Sequence, residues 1–136
     1  MDGFRFTIEV TVRFSETDAQ AVAHHAEYLV WFEIARIDYL ARFDGGYPAL
    51  LEAGIDATTV EAHVGYRAPA RFGDRLRIGA RCLDLRGARF RFEYAVERDG
   101  LLLADGWTAH ACVDARTLRP TRVPAFLVAA ISAAEG

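Results

Sequence analysis

The chain contains no lysine; all 16 of its basic residues are arginine. Lysine Schiff-base chemistry is therefore excluded. Cysteine is nearly absent. Cys82 and Cys112 sit alone in apolar, strand-like runs with no C-x-x-C spacing, a pattern that reads as two buried free thiols of a reducing compartment rather than a metal site. Positive charge is not in excess: the formal net charge is −3, so the total gives no footprint for nucleic acid. Long apolar runs are missing too. Nothing approaches the ~18 residues of a spanning helix, and Met1-Asp2-Gly3-Phe4-Arg5 has no apolar core of signal-peptide type. These absences lead us to expect a cytoplasmic protein without membrane insertion. There is no repeat, low-complexity stretch or linker, so the 136 residues are expected to form one domain, 1–136.

What is present is patterned hydrophobicity, 52% of the chain, with 26% charged residues. Residues 5–14 alternate Phe6, Ile8, Val10, Val12 and Phe14 with polar partners, which predicts a half-exposed strand. A polar loop, 15–25, follows. From Ala26 the period changes: Tyr28, Phe32, Ala35 and Tyr39 share one helical face. Leu29, Trp31, Ile34, Ile37 and Leu40 widen the apolar surface, so the helix is expected to be buried. Asp44-Gly45-Gly46-Tyr47-Pro48 is its expected stop, with a short helix over 48–53. Period-two runs at 60–67, 75–82, 89–97 and 101–114 predict four further strands, with Val60, Ala62, Val64 and Tyr66 on one face of the first. Their short, turn-rich connections favour antiparallel neighbours. The apolar run 125–131 reads as a packed helix. The fold class is α+β: a sheet of about five antiparallel strands wrapped around one long helix. Its open edges invite a second subunit.

Chemistry concentrates in the loop before the helix, Val12-Arg13-Phe14-Ser15-Glu16-Thr17-Asp18-Ala19-Gln20-Ala21-Val22-Ala23-His24-His25-Ala26-Glu27-Tyr28. A helix N-terminus offers unpaired N–H groups and the positive end of a dipole, here near His25 and Ala26. A carbonyl placed there would be polarised and its oxyanion stabilised. Asp18 lies in the same loop and, held ionised by that dipole, can act as nucleophile or general base. By itself Asp18 also fits a turn or N-cap residue. The adjacent His24-His25 is a poor metal pair. Glu33 and Arg36 interrupt the apolar helix at i, i+3 and read as an ion pair or interface groups. His63 and His110, in strand patterns, read as structural or exposed.

The segment resembles the signature of the 4-hydroxybenzoyl-CoA thioesterase family of hotdog proteins. The resemblance is carried by Arg13-Phe14-Ser15-Glu16-Thr17-Asp18-Ala19, Val22, His25-Ala26-Glu27-Tyr28, Trp31-Phe32-Glu33-Ile34-Ala35-Arg36 and Tyr39-Leu40. A second match is Tyr66-Arg67-Ala68-Pro69-Ala70-Arg71-Phe72-Gly73-Asp74. The most similar branch is the bacterial acyl-CoA thioesterases, including the Tol–Pal-associated type. The resemblance implies a hotdog fold and hydrolysis of an acyl-CoA to free acid and CoA without a cofactor. It also implies a homodimer or homotetramer with sites at the subunit interface. It matches Asp18 to the catalytic carboxylate and His25 to the position whose N–H binds the thioester oxygen. Tyr28, Thr59 and Val60 are expected at the acyl group, the last two from the facing subunit. Arg86 and Arg89, flanking Gly87, suit the CoA phosphates. Two positions depart from the pattern: Ala21 stands where the family has glycine, and Glu27 adds a second carboxylate near Asp18. An acyl-carrier-protein substrate and a non-catalytic acyl-CoA-binding role are the alternatives.

Overall fold

The computed structural model describes residues 1–43 and 46–136. Its strands are β1 (Phe6–Thr11), β2 (Ile55–Tyr66), β3 (Arg75–Arg86), β4 (Arg89–Arg98) and β5 (Leu101–Asp114), and its helices α1 (Glu27–Ala41), α2 (Gly46–Glu52) and α3 (Ala125–Glu135). The strands form one antiparallel sheet in the order β1-β3-β4-β5-β2. β4 and β5 join through Asp99-Gly100, both at positive φ (51° and 82°), the conformation a two-residue hairpin turn of matching twist requires. Strand 5–14 is shorter than its periodicity suggests. It ends at Thr11, and Phe14 opens a 3-10 turn, Phe14–Glu16.

The predicted helix face lands as expected. Tyr28, Trp31, Phe32, Ala35, Tyr39 and Leu40 are buried against one side of the sheet, where each large side chain stabilises the fold by roughly 1.5–3 kcal/mol. Phe32 stacks on Tyr94 with centroids 4.2 Å apart. It lies over Gly106, where a Cβ would come within 2.8 Å of its ring. The other side of α1 corrects the expectation of a wholly buried helix: Leu29, Val30, Ile34 and Ile37 are 39–45% exposed. A five-stranded sheet covers only one face of a helix. Asp44 and Gly45 of the expected helix stop lie outside the described residues; α1 ends at Ala41, with the Arg42 N–H bonded to the Tyr39 and Leu40 carbonyls, and the second helix begins at Gly46.

Two strand expectations change. β2 and β3, joined by residues 67–74, are not neighbours, because β4 and β5 lie between them. The connection crosses from the outer strand toward β1. β2 is an edge strand whose register slips between Thr59 and Glu61, so Val60 is exposed instead of facing inward. Residues 58–63 are all exposed. At the opposite side, β1 pairs with β3 only as far as Ala80, and the Glu135 carboxylate of α3 accepts the next inward-facing N–H, that of Cys82 (2.9 Å), and the Tyr39 hydroxyl. Cys82 and Cys112 are free and buried, and burial pushes both thiols up, Cys112 to about 11. No helix among the described residues is long and apolar enough to cross a membrane.

Candidate functional site

The site is built where β1 hands over to α1, and the 67–74 connection acts as its strap. Val12 is tied to the strap by two backbone bonds, Val12 N–H to the Asp74 carbonyl and Gly73 N–H to the Val12 carbonyl, both 2.9 Å. The strap is pinned in turn. Arg98 donates to the Pro69 carbonyl (3.1 Å) and to Asp74 Oδ2 (2.8 Å). Burial opposes ionisation of Asp74, but the Arg71 N–H and Arg98 outweigh it and hold the carboxyl below its ordinary range.

Glu16 locks the loop onto the helix. It is 4% exposed. Its Oε1 accepts the Arg13 N–H (2.7 Å), its Oε2 accepts the Trp31 indole N–H (3.1 Å), and its backbone carbonyl accepts the His24 N–H (2.8 Å). Burial disfavours its charge, yet these donors with the Arg13 guanidinium hold its carboxyl below the usual value. Between its anchors the loop folds back on itself through a Thr17–Ala23 bridge. Asp18 turns the corner: its N–H donates to the Val22 carbonyl (2.9 Å), and its Oδ1 accepts the Gln20 N–H (2.8 Å), leaving Oδ2 without a protein partner among the described residues. Ala21 adopts φ 62°, the left-handed region in which a glycine carries no Cβ penalty. No hydrogen bond or ion pair among the described residues joins Glu27 to Asp18.

At the start of α1 the backbone donors sort themselves. His24 N–H is used by Glu16, Ala26 N–H donates to the His24 Nδ1 (3.1 Å), and Glu27 N–H donates to the His24 carbonyl (3.0 Å). The His25 N–H alone of these four has no partner among the described residues. The His25 carbonyl accepts the Tyr66 hydroxyl (2.7 Å), and the His24 and His25 rings stack at 4.1 Å. Beside them opens a hollow of about 280 Å³ lined chiefly by Val22, Ala23, His25, Tyr28, Tyr66 and Pro69. Tyr28 stands edge-on to Tyr66 (5.1 Å), and burial raises its phenol above the ordinary value. A fixed, unpaired N–H at a helix N-terminus over an apolar hollow is a ready oxyanion donor.

Of the residues singled out from sequence, the fold brings His25 and Tyr28 to this hollow. Asp18 is in the adjoining turn and does not line it. Thr59 and Val60 lie on β2, and Arg86 and Arg89 pair across the β3–β4 hairpin, where with Asp84, Phe90 and Arg91 they border a cleft of about 440 Å³. Tyr66 pairs with Ala104 and Arg89 with Ala111, so the arginines are roughly 23 Å from the His25 end at ~3.3 Å per residue along β5. Glu16 and Tyr66 were not legible as site residues. Locally Glu16 is one more acidic residue in a polar loop, and only Trp31, on the helix, gives it a reason to be buried. No three His, Cys, Asp or Glu among the described residues gather as a metal site.

Comparison with known proteins bears on this geometry. A family model described as thioesterase-like superfamily matches residues 12–131. The acyl-CoA thioesterase YbgC of Haemophilus influenzae is 32% identical over 126 residues, covering 92% of this chain and 93% of its own. Among solved structures, the hypothetical protein TT1821 of Thermus thermophilus superposes with a TM-score of 0.88 at 36% identity, over 95% of this chain and 98% of that one. A second Thermus thermophilus protein, a thioesterase complexed with coenzyme A and Zn, superposes with a TM-score of 0.87 at 29% identity, over 100% and 98%.

Proposed function

The chain belongs to the thioesterase-like superfamily, and from that premise we propose that this thioester hydrolase splits an acyl-CoA into free acid and CoA at the His25 hollow. The observation that carries the reading is the unpaired His25 N–H, held in place by Glu16 below and Tyr66 above. The thioester oxygen accepts this N–H, and negative charge that develops on it meets the positive end of α1. Asp18 supplies the carboxylate through its free Oδ2, as nucleophile or as general base toward water. The oxygen of water ends on the acyl carbon, the C–S bond breaks, and the CoA sulfur leaves with a proton. No cofactor is required, and the reaction suits a cytoplasmic enzyme.

A second copy of the chain completes the site. β2 presents a free edge with six consecutive exposed residues. Antiparallel pairing of two β2 edges about a two-fold axis brings the Thr59 end of one strand to the Tyr66 end of the other. Thr59 and Val60 then face the hollow of the neighbouring protomer, and the otherwise remote Arg86 and Arg89 come within reach of the CoA phosphates. This dimer is the unit we propose, alone or doubled into a tetramer.

Free-thiol release from a panel of acyl-CoAs, with wild type beside Asp18→Asn, tests the assignment. Asparagine keeps the oxygen that accepts the Gln20 N–H, so the turn survives while the carboxylate is lost. Turnover should fall by about 100-fold or more. Turnover that survives removes Asp18 from the mechanism. Absence of turnover by wild type on every CoA ester moves the substrate to an acyl-carrier protein, or the role to acyl-CoA binding.

A further inference from the structure

Beneath α1 runs a chain of polar side chains, buried at Tyr94, Thr108 and His110, of which the functional reading uses only the exposed end, Thr59. Arg36 Nη1 lies 3.0 Å from Tyr94 Oη, Tyr94 Oη lies 2.7 Å from Thr108 Oγ1, Thr108 Oγ1 lies 2.7 Å from His110 Nε2, and His110 Nδ1 lies 3.3 Å from Thr59 Oγ1. Tyr94, Thr108 and His110 are buried, and His110 lies flat against Phe90 (5.0 Å). Arg36 reaches inward to this chain; its contact with Glu33, the pairing expected from sequence, is a loose 4.0 Å with an exposed carboxylate.

The donors fix the direction of every bond. A guanidinium only donates, so Tyr94 must accept from Arg36. The phenol keeps its own proton, because burial raises it above the ordinary value. Among the described residues that proton has only Thr108 to go to. Thr108 in turn gives its proton to His110 Nε2, which is therefore unprotonated. Neutral His110 carries its proton on Nδ1 and donates it to Thr59, and burial with the nearby Arg36 charge keeps the ring neutral. A proton on Nε2 would leave either the Tyr94 or the Thr108 proton buried without an acceptor among the described residues, a cost the forward direction avoids.

We propose that this chain makes His110 a positioning residue: it occupies an acceptor lone pair of Thr59 and leaves the Thr59 proton to be donated to an oxygen on the acyl part of the substrate. The proposal rests on the paired-edge reading above, in which Thr59 faces the neighbouring hollow. The favoured substrates are acyl-CoAs whose acyl group carries a hydroxyl or keto oxygen over plain alkyl chains of equal length.

Two measurements test it. The first needs no turnover: two-bond proton–nitrogen correlation spectra at pH 7 should show His110 neutral and protonated on Nδ1, against the Nε2 form that free imidazole side chains prefer. An Nε2-protonated His110 overturns the proposal. The second compares kcat/KM for butyryl-CoA and 3-hydroxybutyryl-CoA in wild type, Thr59→Val and Thr59→Ser. Wild type should prefer the hydroxyacyl ester by about 3- to 10-fold, the worth of one hydrogen bond. That ratio should collapse to about one in Thr59→Val and return in Thr59→Ser. A preference that persists in Thr59→Val, or a substitution that alters dimer association and leaves the ratio untouched, overturns it. Failure of the parent reading looks different: no ester is turned over, while the tautomer is still read.

Discussion

Two polar centres packed against the Trp31–Phe32 pair, at Glu16 beside Trp31 and at His110 in the chain that reaches Tyr94 under Phe32, solve the same problem in opposite ways. At the loop, Glu16 stays charged because the Arg13 amide, the Trp31 indole and the Arg13 guanidinium all donate to it. Under the middle of α1, His110 stays neutral because burial disfavours its charge first, the Arg36 guanidinium adds to that, and among the described residues no carboxylate partner offsets them. Burial penalises charge in both places. What decides the outcome is the sign of the fixed partners: donors around an acid keep its charge, whereas a guanidinium near a base forbids one. The first centre gives rigidity to a backbone N–H, and the second gives direction to a hydroxyl.

The contrast is broken most severely by Glu16→Ala. It leaves the buried Trp31 indole N–H and the Arg13 N–H without their carboxylate acceptor, and urea unfolding should show a loss of about 1–3 kcal/mol. The Glu16 carbonyl that accepts the His24 N–H survives the substitution, but the carboxylate that ties the loop to Arg13 and Trp31 is lost, so thioester turnover should fall even at temperatures where the variant is folded. The pH dependence separates the two centres next. His110 is pushed down to about 3 from an ordinary value of 6.5, so below pH 6.5 the unfolded chain binds a proton that the native state refuses. Stability is then full above pH 6.5 and lost as pH falls toward 3, by up to about 1.4 kcal/mol per pH unit. Glu16, with its folded value below the unfolded one, contributes stability that is full above pH 4.5 and is lost only as pH falls further. Melting temperatures from pH 7 to 4.5 should therefore decline in wild type and Glu16→Gln alike, and flatten in His110→Phe, whatever that variant's starting stability. The smallest expected effect sharpens the comparison from the loop side. Ala21→Gly relieves the φ 62° strain and should raise stability by up to about 1 kcal/mol, measured by the same urea titration, without moving the His110 signals.

Much of the frame was legible in the sequence because it depends on neighbours along the chain. Period-two runs located the strands, and Tyr28, Phe32, Ala35 and Tyr39 defined the buried helix face. The left-handed conformation at Ala21 was foreseeable from a residue standing in a glycine's place. What escaped was long-range. Val60 faces outward because one extra residue in β2 shifts the register, and a single bulge leaves little trace in periodicity. β2 lies at the far edge because β5 pairs with it across some fifty residues of sequence. Arg36, Tyr94, Thr108 and His110 come from three elements, and each alone reads as an ordinary residue of its segment. Burial of Glu16 is decided by Trp31, fifteen positions away.

The strap across residues 67–74 carries a consequence for how the protein is made. It bonds Ala23 to Ala70, Val12 to Asp74, and Arg67 and Ala68 to Leu103. The loop bearing Asp18 and His25 leaves the ribosome well before its supports, which extend to residue 103. Closing contacts of such separation carries the entropy of a long chain segment. The proposed catalytic end therefore has to wait for the last strand of the sheet. A nascent chain that has already formed its helix still lacks the fixed amide on which the proposed chemistry depends, and activity should appear in step with β5 rather than with α1.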